Sequence, residues 1–316
     1  MIKQNLILTS MINYKWADIE PFFLSFSKAN FKNCECIIWV YNIDEYTRNN
    51  INKYATIIDI SEDFMKKMKK ESFFITEYRH ILYKDFLENN ITKYKKVLLV
   101  DVRDVIFQND IFKYSWDDNC LGVAEEPQTY AMDTVIGKVW IERKYGNKVY
   151  EEFKDNNIIC AGTIIANINI MINLLDLLCK QIFSLKYFKN QDQADMNYII
   201  FKKIFKYPLQ ISNNDTGVIS TVGIEKNVLI KNDKILNYSG KIVSIIHQYD
   251  RLECIEKLVD KLYRSKYNAD KRQSKLYYKK IEDIAKRYGR EKIYHKWGVY
   301  FMKYIFYRTK YKVLYR

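Results

Sequence analysis

Two acidic residues, Asp101 and Asp104, stand where an apolar run ends in the segment VLLVDVRDVIFQ. Val97 to Val100 lead straight into Asp101, and Asp104 follows three positions on. In open α/β sheets ligands bind beyond the carboxyl ends of the strands, so an acid there is placed for chemistry. Two close carboxylates facing one ligand repel each other unless a cation lies between them. Oxygen-only donors favour Mg²⁺ or Mn²⁺, and Mg²⁺ typically uses one or two carboxylates plus substrate phosphates. The plain alternative is structural: Asp101 caps a turn and Asp104 pairs with Arg103. On an extended strand Asp101 and Arg103 share a face, so Asp104 joins Asp101 only if the chain turns between them.

The elements that would position these acids alternate in the α/β manner. Asn5 to Thr9 reads as a first strand, followed by a helix near 17–29 with Pro21 in its opening turn. Cys36 to Tyr41 and Thr56 to Ile60 read as two further strands. A helix over 75–89 carries Tyr78, Ile81, Leu82 and Phe86 along one face. Val97 to Val100 is then a buried central strand. A short strand at 121–124, a helical region near 134–154 and a strand at 163–167 follow. Helices near 170–187 and 192–206 come next, then several short strands between 209 and 246, and helix from about 252.

At 316 residues, with 48% hydrophobic and 28% charged residues, the chain can bury a large core and has no disordered signature. Six cysteines lack any CxxC pair, which argues against a zinc site or a disulfide framework and for a reducing, cytoplasmic setting. The N-terminal apolar run is too short for a signal-peptide core. No stretch approaches the roughly 20 apolar residues of a membrane-spanning helix.

The net charge of +14 is concentrated at one end. Residues 261–316 carry 18 Lys+Arg against 4 Asp+Glu, and the other 260 residues are neutral with 34 of each sign. The same segment holds 14 aromatics, and Trp297, Phe301, Tyr304 and Ile305 fall on one helical face. A basic, aromatic amphipathic helix suits an anionic membrane surface, where each basic residue contributes about 1 kcal/mol. Nucleic acid is the weaker alternative partner and is not expected; a helical cap with a solvated basic face is the structural one.

Four segments, in order, resemble those of GT-A nucleotide-sugar glycosyltransferases, among them retaining bacterial sugar transferases and glycogenin-like enzymes. VLLVDVRDVIFQNDIF resembles the metal-binding strand end usually written DxD, here with an extra residue. IICAGTIIA at 158–166 resembles the family's N-S-G-h-h-h-G stretch, with Cys160 in the first place and Ala166 in the last. QDQADMN at 191–197 resembles the DQxxhN segment, and IIHQYDR at 245–251 the late histidine segment. The resemblance covers roughly residues 1–255. It implies a Rossmann-like GT-A mixed sheet flanked by helices over 1–255, and the charge and helical spacing noted above make 256–316 a basic helical extension.

The resemblance also implies roles. Asp101, Asp104 and His247 would hold Mn²⁺ or Mg²⁺. Asp192 and Gln193 would lie against the donor sugar, and Cys160, Ala161 and Gly162 would form a loop approaching it closely. Thr9 and Ser10 would contact the nucleotide, while Arg79 would reach phosphate or pair with Asp104. Arg103 would contact diphosphate or the neighbouring helix. The implied protein is a hexosyltransferase-type enzyme, and the basic aromatic segment adds the expectation that it works on the inner face of the membrane. It would move a sugar from a nucleotide-sugar donor, a UDP-sugar in the first instance, to a glycan or lipid-linked acceptor, with retention. Glu125 and Glu126, in AEEPQ, are either acceptor-side residues or part of an exposed loop.

Two rivals stand against it. A sugar-nucleotide nucleotidyltransferase uses a similar sheet but needs a Gly-rich phosphate loop after its first strand, and LILTSMINYKW has no Gly. A non-catalytic basic membrane- or nucleic-acid-binding protein would have no need of the acids and the histidine. A phosphatase of haloacid dehalogenase type is excluded by the DxxD spacing and by the acids not following the first strand.

Overall fold

The computed structural model describes residues 3–71, 73–133, 137–184, 192–225 and 227–265. It opens with β1 (Gln4–Ile12), α1 (Trp16–Lys28), β2 (Cys34–Tyr41), α2 (Glu45–Ile51) and β3 (Thr56–Asp59). Then come α3 (Glu62–Lys70), α4 (Ile75–Asn89), β4 (Tyr94–Val100) and β5 (Val105–Phe107). The middle of the chain supplies β6 (Leu121–Thr129), α5 (Gly137–Tyr145), α6 (Asn147–Phe153) and β7 (Asn157–Asn167). Two helices follow, α7 (Ile168–Ser184) and α8 (Asp192–Phe201). Short strands β8 (Leu209–Ser212), β9 (Ile219–Thr221), β10 (Leu229–Lys231), β11 (Lys234–Leu236) and β12 (Ile245–His247) lead to α9 (Glu253–Tyr263).

The main sheet has seven strands in the order β3-β2-β1-β4-β7-β6-β8. Only β7 runs antiparallel to its neighbours, so the expected mixed α/β sheet is present. Both faces are covered, and the strands accordingly read as near-continuous apolar runs. One core joins Leu6, Leu8, Leu99 and Ile164 to Tyr83, Met171 and Met196 of α4, α7 and α8. The other joins Ile7, Ile38, Leu98 and Ile165 to Trp16, Phe22 and Phe23 of α1. Strand order reverses between β1 and β4, because β2 and β3 lie to one side of β1 and β4 to the other. Such a switch point opens a crevice at the carboxyl ends, where β4 delivers Asp101.

A second sheet has the order β5-β12-β9, and its β5 follows the DVRD segment directly. β12 pairs antiparallel with β5, with His247 opposite Val105, and parallel with β9. The register therefore sets His247 beside the end of the DVRD segment.

Two sequence expectations change. Cys160, Ala161 and Gly162 are not a loop: β7 starts at Asn157 and runs through them, all three buried. Pairing with β6 jumps from Val123↔Ile164 to Ala124↔Cys160, so residues 161–163 bulge from that ladder. Pro21 lies inside α1, past the opening turn. Without an N–H it cannot serve the Ala17 carbonyl one turn back. Arg264 does so instead, its Nη1 donating to Ala17 O and its Nε to Asp260 Oδ1 at 2.9 Å.

Arg264 follows α9, whose Ile255, Val259 and Tyr263 pack with Ile106, Val243 and Ile246. The ordered core thus continues beyond residue 255. Residues 266–316, which hold most of the basic aromatic segment, lie outside the described residues. Arg264→Met should leave the Ala17 carbonyl without a donor and cost about 1–3 kcal/mol. Thermal melting checks this, and an unchanged midpoint would show that water replaces the guanidinium.

Candidate metal centre

A bend over residues 102–104 turns the chain after β4 and brings Asp104 round to Asp101. Main-chain bonds fix both acids. The Asp101 N–H donates to Gly162 O at 3.0 Å, and the Asp104 carbonyl accepts from Gln248 N at 2.8 Å. Gln248 takes the left-handed conformation, with φ 61°, which swings the chain after β12 back over Asp104. His247 Nε2 then lies 3.6 Å from Asp101 Oδ2 and 3.6 Å from Asp104 Oδ1. Ligand atoms of Asp101, Asp104 and His247 all fall within 4.8 Å of one another.

This donor set fits a divalent cation. Donors at about 2.1 Å from one ion lie roughly 3 to 4.2 Å apart, close to the spacing here. Gly162 borders the same space: a Cβ on it would meet His247 Cε1 at 2.4 Å and Asp101 Oδ2 at 2.6 Å. The room beside the three donors thus exists only because position 162 has no side chain. Gly162→Ala is expected to weaken Mn²⁺ binding at least about tenfold, as its methyl group would push His247 and Asp101 out of place. Titration of free Mn²⁺ by electron paramagnetic resonance measures it, and wild-type affinity in the variant would reject this use of Gly162.

Electrostatics agree with a cation site. Burial alone would raise the Asp101 carboxyl, but Arg79 and His247 more than offset it and hold it below the usual carboxylate range. Burial disfavours a charged His247, yet the Cys160 sulfur and the carboxylates of Asp104 and Asp101 push its pKa well above that of a free imidazole. The acids thus favour a positive charge on or beside the imidazole, either a proton on His247 or a cation at its Nε2.

Behind the triad lies a second layer. Arg79 Nη1 donates to Asp101 Oδ1, and its Nη2 donates to Asp192 Oδ2 at 2.9 Å. Arg79 therefore bridges Asp101 and Asp192 and does not pair with Asp104, contrary to one sequence expectation. His80 Nε2 approaches the same Asp192 oxygen at 3.3 Å. Burial opposes the charged form of Asp192, but Arg79 and His80 outweigh it and lower its pKa. Burial lowers the pKa of His80.

Gln193 is held on both sides: its Oε1 accepts from Ala161 N at 3.4 Å and its Nε2 donates to Glu126 Oε1 at 3.1 Å. Asn197, one turn on, clamps β7 by accepting from Ile159 N at 2.9 Å and donating to Ile159 O at 2.8 Å. Helix α8 is further fixed by a wholly buried pair, Lys144 and Asp195, with Tyr145 also donating to Asp195.

The structure thus brings together Asp101, Asp104, His247, Cys160, Ala161, Gly162, Arg79, Asp192 and Gln193. Arg103 lies 3.8 Å from Asp250 and 3.9 Å from Asp104 Oδ2, so it pairs with the second acid as the structural alternative expects. Ser10 Oγ accepts from Tyr83 OH at 2.9 Å, on the helix that carries Arg79. Thr9 is fully buried on the opposite face of β1, with its hydroxyl unpartnered in the core, so it offers no surface to a nucleotide. Glu125 is half-buried and accepts from Asn157 at 3.2 Å, whereas Glu126 is buried against Gln193. Sequence reasoning assigned no role to His80, Asn197 or Tyr83. Asn197 lay within a quoted motif; His80 carried no signal beyond adjacency to Arg79.

No protein-family model matches this sequence, and no curated protein matches it. Solved structures do match. One is an active-site mutant of LgtC, a glycosyltransferase, at 17% identity and a TM-score of 0.48, covering 81% of this chain and 94% of that one.

Proposed function

We propose that this protein is a metal-dependent glycosyltransferase of the GT-A type. The observation that carries this reading is the Asp101–Asp104–His247 cluster, which borders the glycine at 162 at the carboxyl end of β4. The order of the four sequence segments supports it. A bound Mn²⁺ or Mg²⁺ would act there as a Lewis acid on the donor's diphosphate. Asp101, Asp104 and His247 would hold that ion, and β7 would supply the backbone beside it.

In this reading Gln193 presents its amide to the donor sugar, kept in place by Ala161 and Glu126. Asp192 acts through Arg79, since its carboxylate is engaged by Arg79 and His80. The donor is a UDP-sugar, the acceptor a cell-surface glycan or lipid-linked sugar, and the anomeric configuration is retained, as the resemblance of DQADMN to retaining enzymes suggests. Incubating the protein with a panel of nucleotide sugars, with and without Mn²⁺, tests the reading. Metal-dependent transfer or donor hydrolysis is the expected result; its absence across the panel rejects the enzyme.

We further propose that the protein works at the inner membrane face through its basic aromatic segment. Among the described residues no helix is long and apolar enough to cross a membrane. A truncation should leave Tyr263 and Arg264, both buried, in place and remove 266–316. That protein is expected to lose at least about tenfold in binding to vesicles containing anionic lipid. Undiminished binding would place the membrane contact elsewhere or nowhere.

A further inference from the structure

The imidazole that faces the two acids is held from behind by a thiol. Cys160 Sγ lies 3.0 Å from His247 Nδ1, with Cys160 1% and His247 3% exposed. A histidine that binds a cation through Nε2 must present a lone pair there, so its ring proton sits on Nδ1. Among the described residues, Cys160 Sγ is the partner within hydrogen-bond reach of that nitrogen. The sulfur also accepts from the Gly162 N–H at 3.4 Å, a donor whose direction the backbone fixes. A sulfur already turned towards one donor is set up to accept a second.

The three residues Cys160 to Gly162 consequently act on both ends of the cluster. Gly162 O receives the Asp101 N–H at 3.0 Å and fixes the first acid, while Cys160 fixes the histidine. We propose that Cys160 is a positioning residue for His247, its sulfur accepting the Nδ1–H so that Nε2 is aimed between Asp101 and Asp104. This rests on the metal-dependent reading above. The usual partner of a metal-bound histidine is a carboxylate or a carbonyl oxygen, and sulfur accepts more weakly. The choice of cysteine therefore sets a looser hold on the ion than a carboxylate would.

The test is the affinity of the full-length protein for Mn²⁺, followed by electron paramagnetic resonance and needing no substrate. Removing an outer-shell partner typically weakens metal binding about 10- to 100-fold, so Cys160→Ala is expected to fall in that range. Cys160→Ser keeps an acceptor and should stay within about threefold of wild type. A packing role predicts equal weakening in the two variants, because a buried hydroxyl fills the site no better than a methyl group does. Equal weakening in both variants, or wild-type affinity in Cys160→Ala, overturns the proposal. Should the alanine variant fail to fold, Cys160→Val supplies similar volume without an acceptor and is read in the same way. Absence of Mn²⁺ binding by the wild-type protein would instead defeat the metal-dependent reading, and this inference with it.

Discussion

Asp104→Asn is expected to lower metal-dependent turnover of the nucleotide-sugar donor at least about 1,000-fold, with the melting temperature within a few degrees of wild type. The substitution keeps the shape of a side chain that is 8% exposed. The main-chain bond from Gln248 N to the Asp104 carbonyl, 2.8 Å, does not depend on the carboxylate. What changes is charge: one of two anionic donors becomes a neutral amide, and a divalent cation between them loses half its formal compensation. Asp101 is the less clean target, because its carboxylate also answers Arg79. Rate measured against Mn²⁺ concentration separates the outcomes. A rate that recovers at high Mn²⁺ places the defect in ion binding, and a rate that does not places it in the chemical step. Wild-type rates at ordinary Mn²⁺ would remove Asp104 from the ligand set and sink the site assignment.

Apolar runs and helical periods located most elements because both sheet faces are covered. The residues of α4 and β2 announce themselves by pattern alone, and so does the acid at the end of β4. Whether Asp104 reaches Asp101 was open, since it depends on a bend over 102–104 that no periodicity encodes. The β7 segment was misread for a related reason. Ala161 and Gly162 look like loop chemistry, yet a bulge lets a strand run through them while turning Gly162 towards the cluster. Pro21 looked like a helix opener because its lost donor is usually harmless only there. Arg264, at the far end of the described chain, makes the interior position tolerable. Thr9 shows the limit of reading strand ends: one residue from Ser10, it points to the other face of the sheet.

Arg79→Met is expected to destabilise the fold by about 3–5 kcal/mol, the largest loss of stability for a single change at this site. The guanidinium side chain is 11% exposed and joins two acids that come from different elements, Asp101 after β4 and Asp192 at the start of α8. Methionine would fill the space and leave Asp192, 10% exposed, with only the weakly basic His80 beside it. Asp101, a third exposed, keeps some contact with water and adds less. The sign of the pH dependence distinguishes this cause from a packing defect. In the wild type the pKa values of Asp101 and Asp192 lie below the ordinary carboxylate value, so their contribution is fully present above about pH 4 and is lost as the pH falls through the folded-state values. Without Arg79, burial raises the same carboxyls, and protonating them relieves the folded state. The gap between the two proteins should therefore be widest near neutral pH, begin to narrow as the pH falls through the variant's raised carboxyl values, and narrow further below about 4. Denaturant unfolding at several pH values reads this directly, and a gap that stays constant with pH would assign the loss to packing alone. Arg79→Lys restores charge without the planar fork, which cannot reach both acids in the same geometry, and should recover only part of the difference.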